Sequence, residues 1–205
     1  MKVKPETGNK DKASDMTLVK RAKNRDFSAF EELVTRYEIK VYNLAYKMLG
    51  SQEDAEDVLQ DIFLSAFKSI DEFKEISSFS TWIYRIATNA CLMKLRSKKS
   101  QTISLDDKPN SLTAEITDWS QNSATLLDRK ELREIMEKAI KSLPKMNRAV
   151  FILRDVEGLS NSEASKVLNI SIAAVKSRLH RARLYLREKL SNYFSGRNEF
   201  SLKGK

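Results

Sequence analysis

Cys91 is the only cysteine among 205 residues, and His180 the only histidine. A disulfide within the chain is excluded, and no Cys/His zinc site can be assembled. Only 5 Gly and 3 Pro occur, few for strand-and-turn architecture, so helices are expected. No apolar run approaches the ~18 residues a bilayer span needs. The opening MKVKPETGNKDKASD lacks the apolar centre of a secretory signal. A cytoplasmic protein without membrane insertion is the expectation.

Charge and apolar patterning are abundant. Lys+Arg number 37 against 28 Asp+Glu, a net +9 that suits a polyanionic partner, nucleic acid or acidic membrane. The charge is uneven: acids cluster over Glu53–Asp61, bases over Arg85–Lys99 and Lys176–Lys189. Apolar residues make up 41%, enough for a packed core.

The spacing predicts a short helix over Asp15–Lys23 with Leu18, Val19 and Ala22 on one side. A long helix follows the N-cap Asp26. Phe27, Phe30, Leu33, Val34, Tyr37, Val41, Leu44, Ala45 and Met48 lie on its inner face, and Gly50 ends it. Ser51 starts a third helix, with Asp54 placed for an approximate capping box. Its expected buried stripe is Ala55, Val58, Leu59, Ile62, Phe63, Ala66 and Phe67. A loop over Asp71–Ser78 leads to a fourth helix from about Phe79 to Arg96. Periodicity fades over residues 97–125, which read as a flexible linker; extended, they reach at most about 100 Å. It returns at Leu126 and Leu127, with Leu132, Ile135, Met136, Ala139 and Ile140. Pro144 interrupts it, Met146–Val156 forms another helix closed by Gly158, and a C-terminal extension runs to about Tyr193. The fold class is all-α: two small helical domains, 15–96 and 126–193, the second containing a helix-turn-helix.

That unit is SNSEASKVLNISIAAVKSRLHRARLYLR, Ser160–Arg187. Ser160 and Glu163 fit a capping box, Asn169 suits the left-handed residue of a tight turn, and Ser171 can cap the second helix. Ile172, Val175, Leu179, Ala182 and Leu186 are expected to face inward. The opposite face carries Ala174, Ser177, Arg178 and Arg181, flanked by Lys176, His180 and Arg183. Arg can bridge guanine O6 and N7, Ser can reach a base edge or phosphate, and the Ala174 methyl can meet a thymine methyl. Lys176 and Arg183 are assigned to phosphates, which set register without reading sequence.

Two segments of the first domain also stand out. DAEDVLQDIFLSAF (Asp54–Phe67) places Asp57, Gln60 and Asp61 opposite its apolar stripe, as a protein-docking face or simply a solvated one. FKEISSFSTWIYRIATNACLMKLRSKK (Phe73–Lys99) has a core stripe of Trp82, Ile83, Ile86, Ala87 and Ala90. Tyr84, Arg85, Thr88, Asn89, Leu92 and Arg96 are then expected towards solvent, with Phe73, Lys74 and Phe79 in or beside the loop. Aromatic and amide groups among positive charges suit unpaired bases: rings stack, Asn meets a base edge, cations hold the backbone. Alternatively, Phe73 and Phe79 pin the loop to the core.

These segments, in this order, resemble a bacterial sigma-70-family sigma factor of the extracytoplasmic-function (ECF) group. DAEDVLQDIFLSAF resembles the segment that docks on the β′ clamp helices of RNA polymerase, FSTWIYRIATNA the promoter-melting segment, and LSNSEASKVLNISIAAVKSRLHRAR the reader of the minus-thirty-five element. The resemblance implies core contacts from Asp54, Asp57, Val58, Gln60, Asp61, Phe63 and Leu64. It implies minus-ten contacts from Phe73, Lys74, Phe79, Tyr84, Arg85, Thr88, Asn89 and Arg96, with Asn89 and Phe73 near a flipped base. Minus-thirty-five contacts fall to Ser171, Ala174, Lys176, Ser177, Arg178, His180, Arg181 and Arg183. It further implies contact with the polymerase β flap, promoter DNA as ligand, and an anti-sigma factor as regulator. Ala164-Ser165 stands where the family usually has Ile-Ala, and Asn169 where Gly is common.

No nucleophile–base pair, metal cluster or Gly-rich phosphate loop is legible, so neither catalysis nor a cofactor is expected. A regulator binding its operator alone stays open, as does a nucleic-acid enzyme. The first needs a dimer surface, the second a carboxylate or metal constellation.

Overall fold

The computed structural model describes residues 13–101 and 123–202, with side chains described over 13–98 and 131–191. Helix α1 spans Asp15–Lys23, α2 Phe27–Leu49, α3 Gln52–Ser69 and α4 Phe79–Gln101. After residue 122 come α5 (Ser123–Ser142), α6 (Lys145–Phe151), α7 (Asn161–Leu168) and α8 (Ile172–Leu202). A 3-10 turn, Ile70–Glu72, follows α3, and a π-helical turn, Ile152–Val156, follows α6. No strand occurs among the described residues.

Local chemistry sets most helix ends. Asp26 accepts a hydrogen bond from Ala29 N at 3.2 Å, starting α2, and Gly50 ends it at φ 69°. Ser51 caps α3 through Asp54 N. The reciprocal half of the expected box is not formed, because lysines of α4 take the Asp54 carboxylate. The box at α7 is complete: Glu163 N donates to Ser160 Oγ at 3.1 Å, and Ser160 N to the Glu163 carboxylate at 2.7 Å. Asn169 adopts φ 52°, the left-handed conformation its type tolerates. Ser171 Oγ accepts from Ala174 N at 3.1 Å, starting α8.

α1, α2, α3 and α4 bury Leu18, Val19, Leu33, Val41, Leu44, Met48, Val58, Ile62, Phe79, Ile83 and Cys91 between them. Asp15 ties α1 to α2 by pairing with Arg36 and accepting the Tyr37 hydroxyl. In the second half, Ala149, Val150, Ile152, Leu153, Ala164, Val167, Val175 and Leu179 are buried. These two sets are one continuous apolar core, because α7 lies against α4, and α6 against α2 and α4. A small separate cluster joins Ala139 and Leu143 of α5 to Ala182 and Leu186 of α8.

Several sequence expectations are corrected. Phe27 is 67% exposed and Phe67 lies at the surface. They stack on each other at 5.9 Å at the edge of the α2–α3 face, where no further helix among the described residues covers them. Leu132 and Ile172 are exposed, each at the margin of its helix's apolar stripe. Met146–Val156 is not one regular helix: its last turn widens, and Glu157 N bonds Ile152 O at 2.9 Å. Helix α4 continues past Arg96 to Gln101. Tyr84 and Thr88 are buried rather than solvent-facing, and Leu92 is half-buried. The expectations at Leu126, Leu127 and Tyr193 concern side chains outside those described.

Candidate docking and nucleic-acid surfaces

The acidic face of α3 is only partly free. Asp57, Gln60, Asp61 and Leu64 are exposed, Phe63 is half-buried, and Val58 is buried in the core. Asp54 is buried and bonded to Lys98 at 2.5 Å, with Lys94 at 3.7 Å. Lys94 also reaches Asp57 at 3.3 Å, and that hydrogen bond raises its pKa above the usual lysine value. Asp54 thus ties α3 to α4, and the outward face is Asp57, Gln60, Asp61 and Leu64.

On α4 the candidate residues separate by depth. Phe73 and Phe79 are 3% and 1% exposed. With Trp82 they form a packed aromatic triangle, ring centroids 5.2–6.3 Å apart, and Tyr37 adds an edge contact to Phe79 at 5.2 Å. Lys23 Nζ donates to Phe73 O at 2.6 Å, fixing the loop from α1. These rings therefore pin the loop to the core and offer no open face to a base. Lys74 and Ile76 project from the loop. Arg85, Asn89 and Arg96 are exposed, and Met93 completes their stripe at steps of three and four. Met93 escaped the sequence reading because an isolated Met in a helical run carries no distinctive signal.

Tyr84, at 5% exposure, donates its hydroxyl to Glu157 Oε2 at 2.8 Å, across 73 residues. Burial first, then that carboxylate, raise its pKa above the usual tyrosine value. Thr88 lies one turn further along α4 at 1% exposure, its Oγ1 without a partner.

Helix α8 and its N-cap present Ser171, Lys176, Ser177, His180 and Arg181 outward, with Ala174 and Arg178 half-buried beside them. Ser171 spends its hydroxyl on the cap. Arg183 is paired, its side chain 58% exposed: Nε and Nη2 donate to the Asp155 carboxylate at 2.8 and 2.7 Å. The π-helical turn after α6 brings Asp155 beside α8, so a phosphate contact by Arg183 competes with this ion pair. Nothing in the local pattern around either residue announces this pairing.

Among the described residues, one cation sits in the interior. Arg148 is buried and donates to Met48 O at the end of α2 (2.6 Å), and to Leu143 O and Lys141 O at the end of α5. Burial lowers its pKa. Helix C-termini concentrate partial negative charge, which suits a guanidinium there.

Comparison with known proteins gives consistent likenesses. The sigma-70 region 2 family matches residues 33–101, and sigma-70, region 4 matches residues 133–186. The ECF RNA polymerase sigma factor SigW of Bacillus subtilis (strain 168) is 36% identical, covering 84% of this chain and 94% of its own. The ECF RNA polymerase sigma-E factor of Escherichia coli (strain K12) is 33% identical, covering 84% and 92%. Among solved structures, CnrH in complex with the cytosolic domain of CnrY has TM-score 0.66 and 26% identity, over 88% of this chain and 99% of that one. With both sigma-70 regions in order and relatives matched over nearly their whole length, the chain belongs to the sigma-70 family, among its ECF RNA polymerase sigma factors.

Proposed function

We propose that this protein binds core RNA polymerase and directs it to promoters, holding minus-ten bases with α4 and reading minus-thirty-five duplex with α8. The observation that carries the reading is the pair of separate exposed basic stripes, one in each half. Arg85, Asn89 and Arg96 form the first, and Lys176, Ser177, His180 and Arg181 the second. The first mixes an amide with cations, which suits an unpaired strand. The second lies near the N-terminus of a capped helix, where a major groove admits it. Asp57, Gln60, Asp61 and Leu64 supply the polymerase-docking face on α3. Phe73 and Phe79 shape the α4 loop from beneath, and Tyr84 and Thr88 join the strand surface only when uncovered. Asp54, Val58 and Phe63 support the docking helix from inside.

Energetics require polymerase as a partner. Opening a dozen base-pair steps costs about 17 kcal/mol, and a few held bases return about 1–3 kcal/mol each. The remainder comes from the core enzyme, to which the synthesis chemistry also belongs. The two promoter elements, roughly two helical turns apart, are about 70 Å distant, within the reach of the residues between the halves. The β flap is the expected partner of the second half. An inhibitory protein partner is supported by the likeness to CnrH, described with the cytosolic domain of CnrY.

The test is Asp61→Arg, measured by binding to purified core polymerase and by run-off transcription. Core affinity should fall at least about tenfold, a loss of about 1.4 kcal/mol, with the helical circular dichroism unchanged. Retained affinity removes α3 as the docking face. Initiation no more selective than core alone overturns the whole reading.

A further inference from the structure

We propose that Ile76 and Met93 are the base-contacting side chains of the strand-holding surface: bases of an unpaired strand pack on these two aliphatic groups, on either side of Asn89. The inference rests on the proposed role of α4 in holding such a strand, and it names contacts that this role requires.

An unpaired strand is held in two ways. Cations take the backbone, and a flat or apolar surface takes the bases. The exposed stripe of α4 supplies the cations Arg85 and Arg96 and the Asn89 amide. It supplies no open ring: Phe73, Phe79 and Tyr84 are buried, and Trp82 is half-buried. The most exposed large apolar side chains among the described residues are Ile76, at 79%, and Met93, at 70%. Apolar residues scattered singly over a surface are ordinary. These two instead flank Asn89 along one side of α4. The Phe73 ring packs on Trp82 at 5.2 Å, which sets the loop against that side. Asn89 follows Trp82 by seven residues, two turns and about 10 Å along the helix. Met93 comes one turn later, about 6 Å further. The loop, Asn89 and Met93 therefore lie in line, with Arg85 and Arg96 along one margin.

The loop presents Ile76 on a fixed frame. Ile76 stands three residues from each anchor ring, Phe73 and Phe79, and Lys23 Nζ holds Phe73 O at 2.6 Å. Glu75 adopts φ 57°, a left-handed conformation uncommon in residues other than glycine. Such a conformation persists where the surroundings hold it. Ile is β-branched and stiff at χ1, so a base settling on it costs little side-chain freedom. Met93 is unbranched and polarisable, and it adapts to whichever base meets it. Ile and Met are both among the apolar side chains that proteins insert between base steps. Lys74, exposed two residues before Ile76, is placed for the adjoining phosphate.

The test uses the full chain bound to core polymerase, with core alone as background. The probes are a mixed-sequence fork with a single-stranded overhang of about 12 nucleotides and the matching closed duplex. Ile76→Ala and Met93→Ala should each weaken fork binding about fivefold, the lower end of what one base contact returns, and leave duplex binding unchanged. Neither should alter the salt slope of fork binding, whereas Arg85→Ala should lower it by about 0.7. Met93→Leu should bind as the parent does. Both positions are exposed, so helical circular dichroism should not change. An abasic site walked along the overhang should reach one position where the Ile76→Ala loss vanishes and another where the Met93→Ala loss does, because the partner base is already gone. Losses undiminished at every abasic position overturn the proposal. A loss in one alanine variant alone overturns the two-sided arrangement. Unchanged binding in both, while Arg85→Ala or Asn89→Ala weakens the fork, overturns the proposal and leaves α4 as the strand-holding helix. If those two variants change nothing either, the strand-holding role of α4 fails, and the base contacts with it.

Discussion

Arg183 shows how one ion pair reassigns a side chain. Its two-pronged bond to Asp155 raises the guanidinium pKa and occupies two of its nitrogens, in competition with the phosphate contact proposed for it. Asp155→Asn should therefore strengthen duplex binding at low salt and steepen its salt dependence by about one unit, because one more cation reaches the backbone. Arg183→Ala should leave that slope unchanged, whereas Arg181→Ala should reduce it by about one. Anisotropy titrations across a salt series decide; equal slopes for the two alanine variants would return Arg183 to the DNA surface. Cys91 gives a second residue-scale prediction. Burial raises its thiol to about 12. The fold favours the neutral thiol, so its contribution is whole below the unfolded value near 8.5 and is lost as pH rises towards 12. Relative to Cys91→Ala, the parent should lose up to about 1 kcal/mol of stability per pH unit in that window, read by urea denaturation. Parallel pH profiles would contradict it.

At the scale of elements, the capped turn between α7 and α8 is the most local device and the most legible. Ser160, Glu163, Asn169 and Ser171 act on backbone within a few residues, so their types predict their roles. Hydrogen bonds from Ser160 hold the Glu163 carboxyl below the usual carboxylate range. Ser160→Ala should cost about 1 kcal/mol, seen as a lower thermal midpoint, and should weaken duplex binding without altering its salt slope. A changed slope would mean that Ser160 touches DNA. Legibility fails where the deciding partner is distant. Helical spacing placed Tyr84 and Thr88 towards solvent; both are buried, and Tyr84 meets its partner Glu157 only 73 residues later. The π-helical turn was invisible for the same reason: it brings Asp155 to Arg183, and neither neighbourhood encodes the other. Phe27 and Phe67 err the opposite way. Their period puts them at the stripe's edge, but period alone cannot say whether another helix arrives to cover that edge.

For the whole molecule, the shared core predicts coupled unfolding. The two halves bury side chains against each other, so calorimetry of the full chain should give one cooperative transition. A Glu157→Ala/Lys145→Ala variant, which removes the bonds to Tyr84 and Leu95 O, should divide it into two overlapping ones. Two separated transitions in the parent would mean that the halves melt independently, as domains with small interfaces do. The division into two helical units was legible from the composition of the stretch between them. Their packing together was not, because no local pattern records which helix face meets which across so long a separation.

The unequal exposure of the two stripes bears on how the molecule lives among competitors. The outward residues of α8 are exposed while Tyr84 and Thr88 of α4 are buried. Under the proposed reading, duplex would meet the whole of the α8 stripe, whereas an unpaired strand would meet only Arg85, Asn89, Met93 and Arg96 on α4.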